Sequence, residues 1–129
     1  MRIGFIARPT AEDFEFAALK GFPCVELNLF DDLALLERAG EVRTWRQKYG
    51  IDLSAVGLFG RNYLADDAAE REQHLQALRR VAEFAAAVGA PVLTTGGGRN
   101  DALSPEQRLQ RTLDLLGPVL QHAAGLGLR

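Results

Sequence analysis

Three arginines, Arg8, Arg61 and Arg99, each come within a few residues of the end of a short aliphatic segment. A guanidinium group can pair with a carboxylate or a phosphate through two parallel hydrogen bonds. The triple glycine 96–98 precedes Arg99, and glycines allow backbone N–H groups to approach an anion closely. This pattern indicates a site for a small anionic or polyhydroxylated ligand. The alternative is that these arginines simply face water, because arginine is by far the more common basic residue in this chain.

Glu26 lies inside an aliphatic segment, residues 24–29, where a carboxylate is costly to bury unless it is paired or functional. Side chains alternate along a strand, so Asn28 shares a face with Glu26. We expect this pair to contact substrate rather than to form a buried structural ion pair. No residue is assigned a catalytic role. The candidate substrate-binding residues are Arg8, Glu26, Asn28, Arg61, Asn62, Gly97 and Arg99.

The sequence lacks the patterns of several common catalytic and cofactor sites. His74 and His122 have no second ligand at metal-binding spacing, and Cys24 is the only cysteine. There is no Gly-x-Ser-x-Gly nucleophile motif and no Gly-Lys-Ser/Thr phosphate loop. Metal sites of barrel enzymes need clustered His, Asp and Glu at strand ends, where this sequence offers Glu26. We therefore expect no metal site in this chain alone.

The composition is that of one soluble globular domain, which we expect to cover residues 1–129. The net charge of −2 argues against a nucleic-acid partner, which would favour a basic excess. One cysteine fits a reducing compartment, and no apolar stretch approaches the ~20 residues that cross a bilayer. We therefore expect a cytoplasmic protein with no membrane partner.

The elements that must position the candidate residues alternate between strand and helix. Aliphatic composition predicts strands at residues 2–7, 24–29, 53–59 and 91–95. Capping residues and helical periodicity predict helices at 10–21, 41–49 and 67–89 and a fourth from Ser104, whereas 31–40 forms either a short helix or a long loop. In the fourth helix a kink is expected at Pro118. Its predicted buried face comprises Leu109, Leu113, Leu116 and Leu120.

Strands of this kind, separated by helices, predict an α/β fold with a parallel sheet of βαβ units. Four such units are half of a (βα)₈ barrel, which needs about 250 residues. The alternative is an open Rossmann-type sheet, which needs helices on both faces and a glycine fingerprint that the first loop, Ala7-Arg8-Pro9-Thr10, does not have.

A half barrel leaves one face of its sheet without helices. A complete barrel fills its interior with about twelve side chains, so half a barrel would expose about six of them. Leaving six apolar side chains exposed would forgo on the order of 10 kcal/mol of stabilisation from burial. We therefore expect the half barrel to be completed, either by a second copy related by a two-fold axis or by a C-terminal half.

Several segments of the sequence resemble one known family. These segments are GF (4–5), DFEFAALKGFPCVEL (13–27), YGIDLSAVG (49–57), AEFAAAVGAPVLTT (82–95) and LGPVLQHAA (116–124). They are similar to the corresponding strands and helices of the sugar phosphate isomerase/epimerase proteins, the xylose isomerase-like TIM barrels.

The resemblance implies the N-terminal half of a metal-dependent sugar isomerase or epimerase. Members of the family interconvert aldoses and ketoses, epimerise keto sugars, dehydrate inosose or cleave DNA at abasic sites. Their divalent metal, Mn, Mg or Zn, is held by acids and histidines on strands five to eight, which this half lacks. In the hypothesis that we draw from the residues themselves, Glu26 and Asn28 touch substrate hydroxyls while Arg61 and Arg99 hold an anionic end.

Two departures argue against the DNA-cleaving branch. Where an abasic-site nuclease would carry histidines after strands three and four, this sequence has Leu58-Phe59-Gly60 and Thr95-Gly96-Gly97. The alternative to an isomerase is a non-catalytic half barrel whose function is to self-associate into a dimeric barrel.

Overall fold

Four strands and four α-helices alternate in the computed structural model of the chain, which describes residues 2–30 and 33–129. The strands are β1 (Gly4–Ala7), β2 (Cys24–Leu29), β3 (Asp52–Leu58) and β4 (Leu93–Thr95). The helices are α1 (Ala11–Leu19), α2 (Ala39–Tyr49), α3 (Ala68–Ala87) and α4 (Pro105–Gly125). In the segment 31–40, which the sequence left open, Leu33–Arg38 is a 3₁₀ helix that leads into α2, and residues 31 and 32 lie outside the described residues.

Three helices, α1, α3 and α4, begin where the capping residues predict, whereas α2 begins at Ala39, two residues before its predicted start. The side chains of Thr10, Asp67 and Ser104 accept hydrogen bonds from the first turns of α1, α3 and α4. At Ser104 the cap is reciprocal, because Gln107 returns a hydrogen bond to the Ser104 backbone. After α1 the chain turns at Gly21, whose φ of +73° is strained for any residue with a side chain.

Each strand pairs in parallel with the next one along the chain, giving the order β1-β2-β3-β4. One irregularity interrupts the ladder between β2 and β3, where the register shifts between Val25 and Glu26. Beyond it, Glu26 lies opposite Ala55 and Asn28 lies opposite Gly57. Consecutive parallel strands in chain order are the arrangement of consecutive units of a (βα)₈ barrel.

All four helices pack on one face of the sheet, which we call the helix face. Its strand residues form one core with buried residues of α1, α2, α3 and α4. Helical spacing predicts an apolar stripe along α3 and its C-cap, and this stripe is confirmed because all of its members are buried: Leu75, Leu78, Val81, Phe84 and Val88. An open Rossmann-type sheet needs helices on both faces, so this arrangement excludes that alternative. The helix face comprises Phe5, Ala7, Val25, Leu27, Leu29, Leu53, Val56, Leu58, Leu93 and Thr95.

The opposite face of the sheet carries no helix within residues 2–30 and 33–129, and we call it the open face. It comprises Gly4, Ile6, Cys24, Glu26, Asn28, Ala55, Gly57 and Thr94. These side chains are mostly small or polar, and Ile6 is the one large apolar side chain among them that is mostly exposed, at 62%. The expectation of about six exposed apolar side chains on this face is therefore wrong, and the apolar cost of leaving it uncovered is correspondingly smaller.

The predicted buried face of α4 is wrong for three of its four leucines. Leu116 is buried, but Leu109, Leu113 and Leu120 are each more than half exposed. The face that packs on the core instead continues from Leu116 to Val119 and Ala123. The three exposed leucines lie beside that face, so their spacing was indistinguishable from that of a buried stripe.

Both outer units of the sheet carry exposed apolar side chains, whereas α2 and α3 expose no large one among the residues described. On α1 these are Phe16 and Leu19, and on α4 they are the three leucines. The outer side of β4 is partly paired by the last residue, because Arg129 exchanges backbone hydrogen bonds with Pro91 and Leu93.

Candidate functional site

The open face brings together polar residues from three neighbouring strands. Asn28 on β2, Gly57 on β3 and Thr94 on β4 form one row across the sheet, and Glu26 lies one row below them. The prediction that Glu26 and Asn28 share a face is confirmed by this register. Asn28 lies near the carboxyl end of β2, the end at which barrel enzymes place their chemistry, and Glu26 lies at the middle of the strand.

The Glu26 carboxylate reaches across β3 to β4. Its Oε1 accepts a hydrogen bond from Thr94 Oγ1 at 3.1 Å. The route passes over Gly57, where an added Cβ would lie 3.2 Å from Glu26 Oε1 and 2.8 Å from Thr94 Oγ1. Glu26 is half-buried, and no arginine or lysine of residues 2–30 and 33–129 pairs with it. Its carboxylate therefore has one oxygen held by a hydroxyl and the other oxygen open to a hydrogen-bond donor.

Asn28 supplies a second acceptor on the same face. Its Oδ1 is buried and accepts no hydrogen bond from the part of the chain that is described. A buried amide oxygen without a donor costs free energy, so a donor that gains access to this atom would relieve that cost. Asn28 also borders a cleft of about 400 Å³ at the ends of β1 and β2. The cleft is lined by Arg8, Pro9, Thr10, Asn28, Leu29, Phe30, Leu35 and Arg38.

The arginine after β1 is engaged by a nearby acid. Arg8 donates to Asp13 from its backbone N at 2.7 Å and from Nη2 at 3.0 Å. The hydrogen bonds from Arg8 hold the pKa of Asp13 below its usual value, and the same pairing raises the pKa of Arg8. The Arg8 side chain is 80% exposed.

The arginine after β4 is engaged in the same way. The Arg99 guanidinium forms a two-pronged ion pair with Asp101, at 3.0 Å from Nε and 2.9 Å from Nη2. Both side chains are mostly exposed. A ligand anion that binds Arg99 would therefore compete with a carboxylate that is already in place.

Arg61, Asn62 and Gly97 lie in the loops after β3 and β4. Arg61 Nη2 donates to the Phe30 carbonyl at 3.3 Å, which ties the loop after β3 to the end of β2. Asn62 Oδ1 accepts from Leu64 N at 3.1 Å and Arg99 N at 2.8 Å, so its amide joins two loops. Gly97 is exposed, with no atom within 4 Å of an added Cβ.

Of the seven candidate residues, Glu26 and Asn28 lie side by side on the open face, and the other five lie in the loops. Sequence reasoning missed Thr94 and Gly57, which contact the Glu26 carboxylate or leave room for it. A glycine inside a strand is a signal of close approach that could have found Gly57. No local signal could have found Thr94, because it meets Glu26 across 68 residues of sequence.

Thr95 has the opposite environment from its neighbour Thr94. On the helix face its Oγ1 donates to the Leu58 carbonyl at 2.8 Å and lies 2.8 Å from the Tyr63 hydroxyl. A hydroxyl has one proton, so Tyr63 is the donor to Thr95. Burial of Tyr63 raises the pKa of its phenol. These bonds join the strand ends to the core beneath them.

Two features are absent from the described residues, a cluster of metal ligands and a bilayer-crossing helix. No three His, Cys, Asp or Glu side chains within residues 2–30 and 33–129 come together as a metal site would require. Glu26 alone does not fit a divalent metal, which needs several such ligands. In the same part of the chain, none of the helices has the length and apolar character of a bilayer-crossing segment.

The sequence profile of the xylose isomerase-like TIM barrel family matches residues 14–129. A comparison with curated protein sequences gives no match.

Solved structures of other proteins superpose on nearly the whole chain. A protein from Thermus thermophilus, soaked with zinc chloride, is 28% identical with a TM-score of 0.79, covering 100% of this chain and 54% of that one. A xylose isomerase domain protein from Planctomyces limnophilus is 19% identical with a TM-score of 0.76, covering 98% and 50%. D-psicose 3-epimerase from Clostridium cellulolyticum H10, solved with D-tagatose, is 15% identical with a TM-score of 0.76, covering 99% and 50%. The chain thus spans about half the length of these structures.

Proposed function

Since the chain belongs to the xylose isomerase-like TIM barrel family, we propose that it is the N-terminal half of a sugar isomerase or epimerase that acts on a small polyhydroxylated substrate. The observation that carries this proposal is the Glu26 carboxylate, which lies on the open face with one oxygen free to accept a hydrogen bond. The D-psicose 3-epimerase solved with D-tagatose supports a sugar as the substrate class, since its fold matches this chain.

Within this proposal, the residues of the open face bind the sugar. Glu26 Oε2 and Asn28 Oδ1 accept hydrogen bonds from neighbouring hydroxyl groups, and this fixes which carbon of the sugar faces the reacting groups. Loss of a proton beside the carbonyl and its return then interconvert the isomers. The groups that move this proton are supplied by the other half of the barrel.

The proposal also includes a metal and two arginines, which fewer observations support. Neighbouring structures soaked with zinc chloride or holding a zinc atom support a divalent metal, Mn, Mg or Zn, held by residues outside this chain. A metal of this kind polarises substrate oxygens when bound. Arg61 and Arg99 stay candidates for holding an anionic end, and Arg99 would then have to leave Asp101.

Ketose binding by the chain tests the proposal. With D-fructose as the probe, NMR titration should show shifts of open-face residues, and Glu26→Gln should raise Kd about tenfold or more through loss of a charge-assisted hydrogen bond. Glu83→Gln is the matched control, because Glu83 is an exposed glutamate on α3 beside His122. No binding by the wild-type chain, or equal binding by Glu26→Gln, would contradict the proposal.

The second candidate is a half barrel that self-associates without catalysis. The observation that favours it is the exposed apolar side chains at both outer units, Phe16 and Leu19 on α1 and the leucines of α4. In a dimer with a two-fold axis, the outer unit that contains α1 in each copy would pack against the outer unit that contains α4 in the other copy, so the same contact would form twice. Sedimentation analysis would detect this dimer, and Leu113→Ser should return it to monomers. A monomer of 14.1 kDa at all concentrations would contradict self-association.

A further inference from the structure

We propose that Gly57 and Thr94 are positioning residues that place the Glu26 carboxylate for ligand binding. Gly57 leaves the space over β3 through which the side chain passes, and the Thr94 hydroxyl fixes one carboxylate oxygen. The proposal rests on the proposed function, in which Glu26 contacts the sugar, and it extends the site from β2 to β3 and β4.

The first step of the argument is the register. Glu26 lies opposite Ala55 on β3, and Thr94 lies opposite Gly57, one row further toward the strand ends. The Glu26 side chain must therefore run diagonally over β3 to meet Thr94. A side chain at position 57 would stand in that diagonal.

The second step is the space that Gly57 leaves. An added Cβ would lie 2.8 Å from Thr94 Oγ1, 2.8 Å from Phe59 Cε2 and 3.2 Å from Glu26 Oε1. Real Cβ contacts are essentially never shorter than 3.0 Å, so alanine at this position must displace the threonine or the ring. The φ angle of Gly57 is not positive, unlike that of Gly21, so its backbone conformation is open to residues with a side chain. The need for glycine here comes from the carboxylate and hydroxyl above it, not from the backbone.

The third step is the direction of the hydrogen bond. Thr94 has one hydroxyl proton, and the bond to Glu26 Oε1 uses it. The carboxylate is then held through Oε1, which leaves Oε2 for a donor from the ligand. A flexible glutamate side chain loses rotamer freedom when it binds a ligand, and prior fixing by Thr94 reduces that cost.

Thr95 gives a matched control for the loss of a hydroxyl. It is the next residue of β4, but its hydroxyl bonds the Leu58 carbonyl and Tyr63 on the helix face. If Thr94 only stabilised the sheet, then Thr94→Val and Thr95→Val would both lower stability, and neither would weaken ligand binding by the folded protein. A positioning role predicts instead that loss of the Thr94 hydroxyl weakens ligand binding, whereas loss of the Thr95 hydroxyl lowers stability.

The experiment measures D-fructose Kd by NMR titration and unfolding by urea for each variant. Thr94→Val should raise Kd about tenfold with the urea midpoint nearly unchanged, and Thr94→Ser should restore Kd to within about twofold. Thr95→Val should lower the urea midpoint and leave Kd unchanged. Gly57→Ala should raise Kd at least as much as Thr94→Val, whereas Gly117→Ala, with open space around its added Cβ, should not.

The outcomes distinguish this inference from the proposed function. If wild type binds and Glu26→Gln abolishes binding, but Thr94→Val binds as wild type does, the positioning role is wrong and the proposed function stands. The positioning role is also wrong if Thr94→Ser fails to restore a Kd that Thr94→Val has raised. If the wild-type chain does not bind D-fructose, the proposed function fails and this inference fails with it.

Discussion

On the helix face of the sheet, β2 presents Val25 and Leu27, which are completely buried, whereas on the open face the alternate residues of the same strand are Glu26 and Asn28. Because side chains alternate along a strand, one position of sequence separates a residue packed in the core from one that is free to meet a ligand. The difference teaches that stability and recognition are divided between the faces. Substitutions on the helix face should lower the free energy of unfolding, and those on the open face should leave it nearly unchanged.

The largest effect is expected for Leu27→Ala. Leu27 is fully buried between Ala7 on β1 and Val56 on β3, so the substitution leaves a cavity beneath the centre of the sheet. The loss in the free energy of unfolding should be about 2–5 kcal/mol, measured by urea denaturation. The control on the open face is Ile6→Ala, which should cost less than about 1 kcal/mol because Ile6 is already 62% exposed. Equal losses would mean that the open face is also packed, and the comparison would break down.

The second effect is expected for Tyr63→Phe. The ring stays buried, but Thr95 loses the hydroxyl that donates to it. One hydrogen bond between neutral groups contributes about 1 kcal/mol, so the free energy of unfolding should fall by about that amount. Thermal and urea unfolding would both detect it. D-fructose binding should be unchanged, and a change in Kd would show that the helix face also sets the geometry of the site.

The sequence was sufficient for the architecture of the helix face. The strands, the caps of α1, α3 and α4 and the stripe of α3 depend on local patterns, and the structure has the caps and the stripe as predicted and the strand ends within two residues of the predicted ones. The error at Leu109, Leu113 and Leu120 has a physical cause. Periodicity identifies an apolar stripe, but it cannot tell whether the neighbour of that stripe is the core or the open side of an outer helix.

The open face was only partly predictable for a different reason. Glu26 was recognisable because a carboxylate in an aliphatic strand is unusual, and Asn28 followed from alternation. Thr94 and Gly57 were not, because their role comes from pairing between strands that are distant in sequence. The arginines looked free because sequence alone does not say that Arg8 meets Asp13 and Arg99 meets Asp101.

A smaller effect on stability is expected for a substitution of Asp13, which pairs with Arg8 directly after β1. The Arg8 hydrogen bonds lower the pKa of Asp13, so its contribution to stability is present above the usual value of 3.8 and is lost as pH falls through the lowered pKa. Asp13→Asn should therefore cost less than about 1 kcal/mol at pH 7, because Arg8 is exposed and screened. Urea unfolding at pH 7 and pH 3 should show a smaller difference between the two pH values for the variant than for wild type. An equal difference would mean that Asp13 has the same pKa in the folded and in the unfolded protein.

The smallest effect on stability is expected for Glu26→Gln. Glu26 is half-buried, its carboxylate has Thr94 as its hydrogen-bond donor, and glutamine keeps an oxygen that can accept the same bond. The free energy of unfolding should therefore stay within about 0.5 kcal/mol of wild type by urea denaturation, as for surface substitutions. The matched substitution Glu83→Gln on α3 gives the baseline for an exposed glutamate. A loss of about 2 kcal/mol or more would be of the size of a core substitution such as Leu27→Ala. Glu26 would then be a structural anchor, and the division between a face for folding and a face for recognition would fail at the residue on which it most depends.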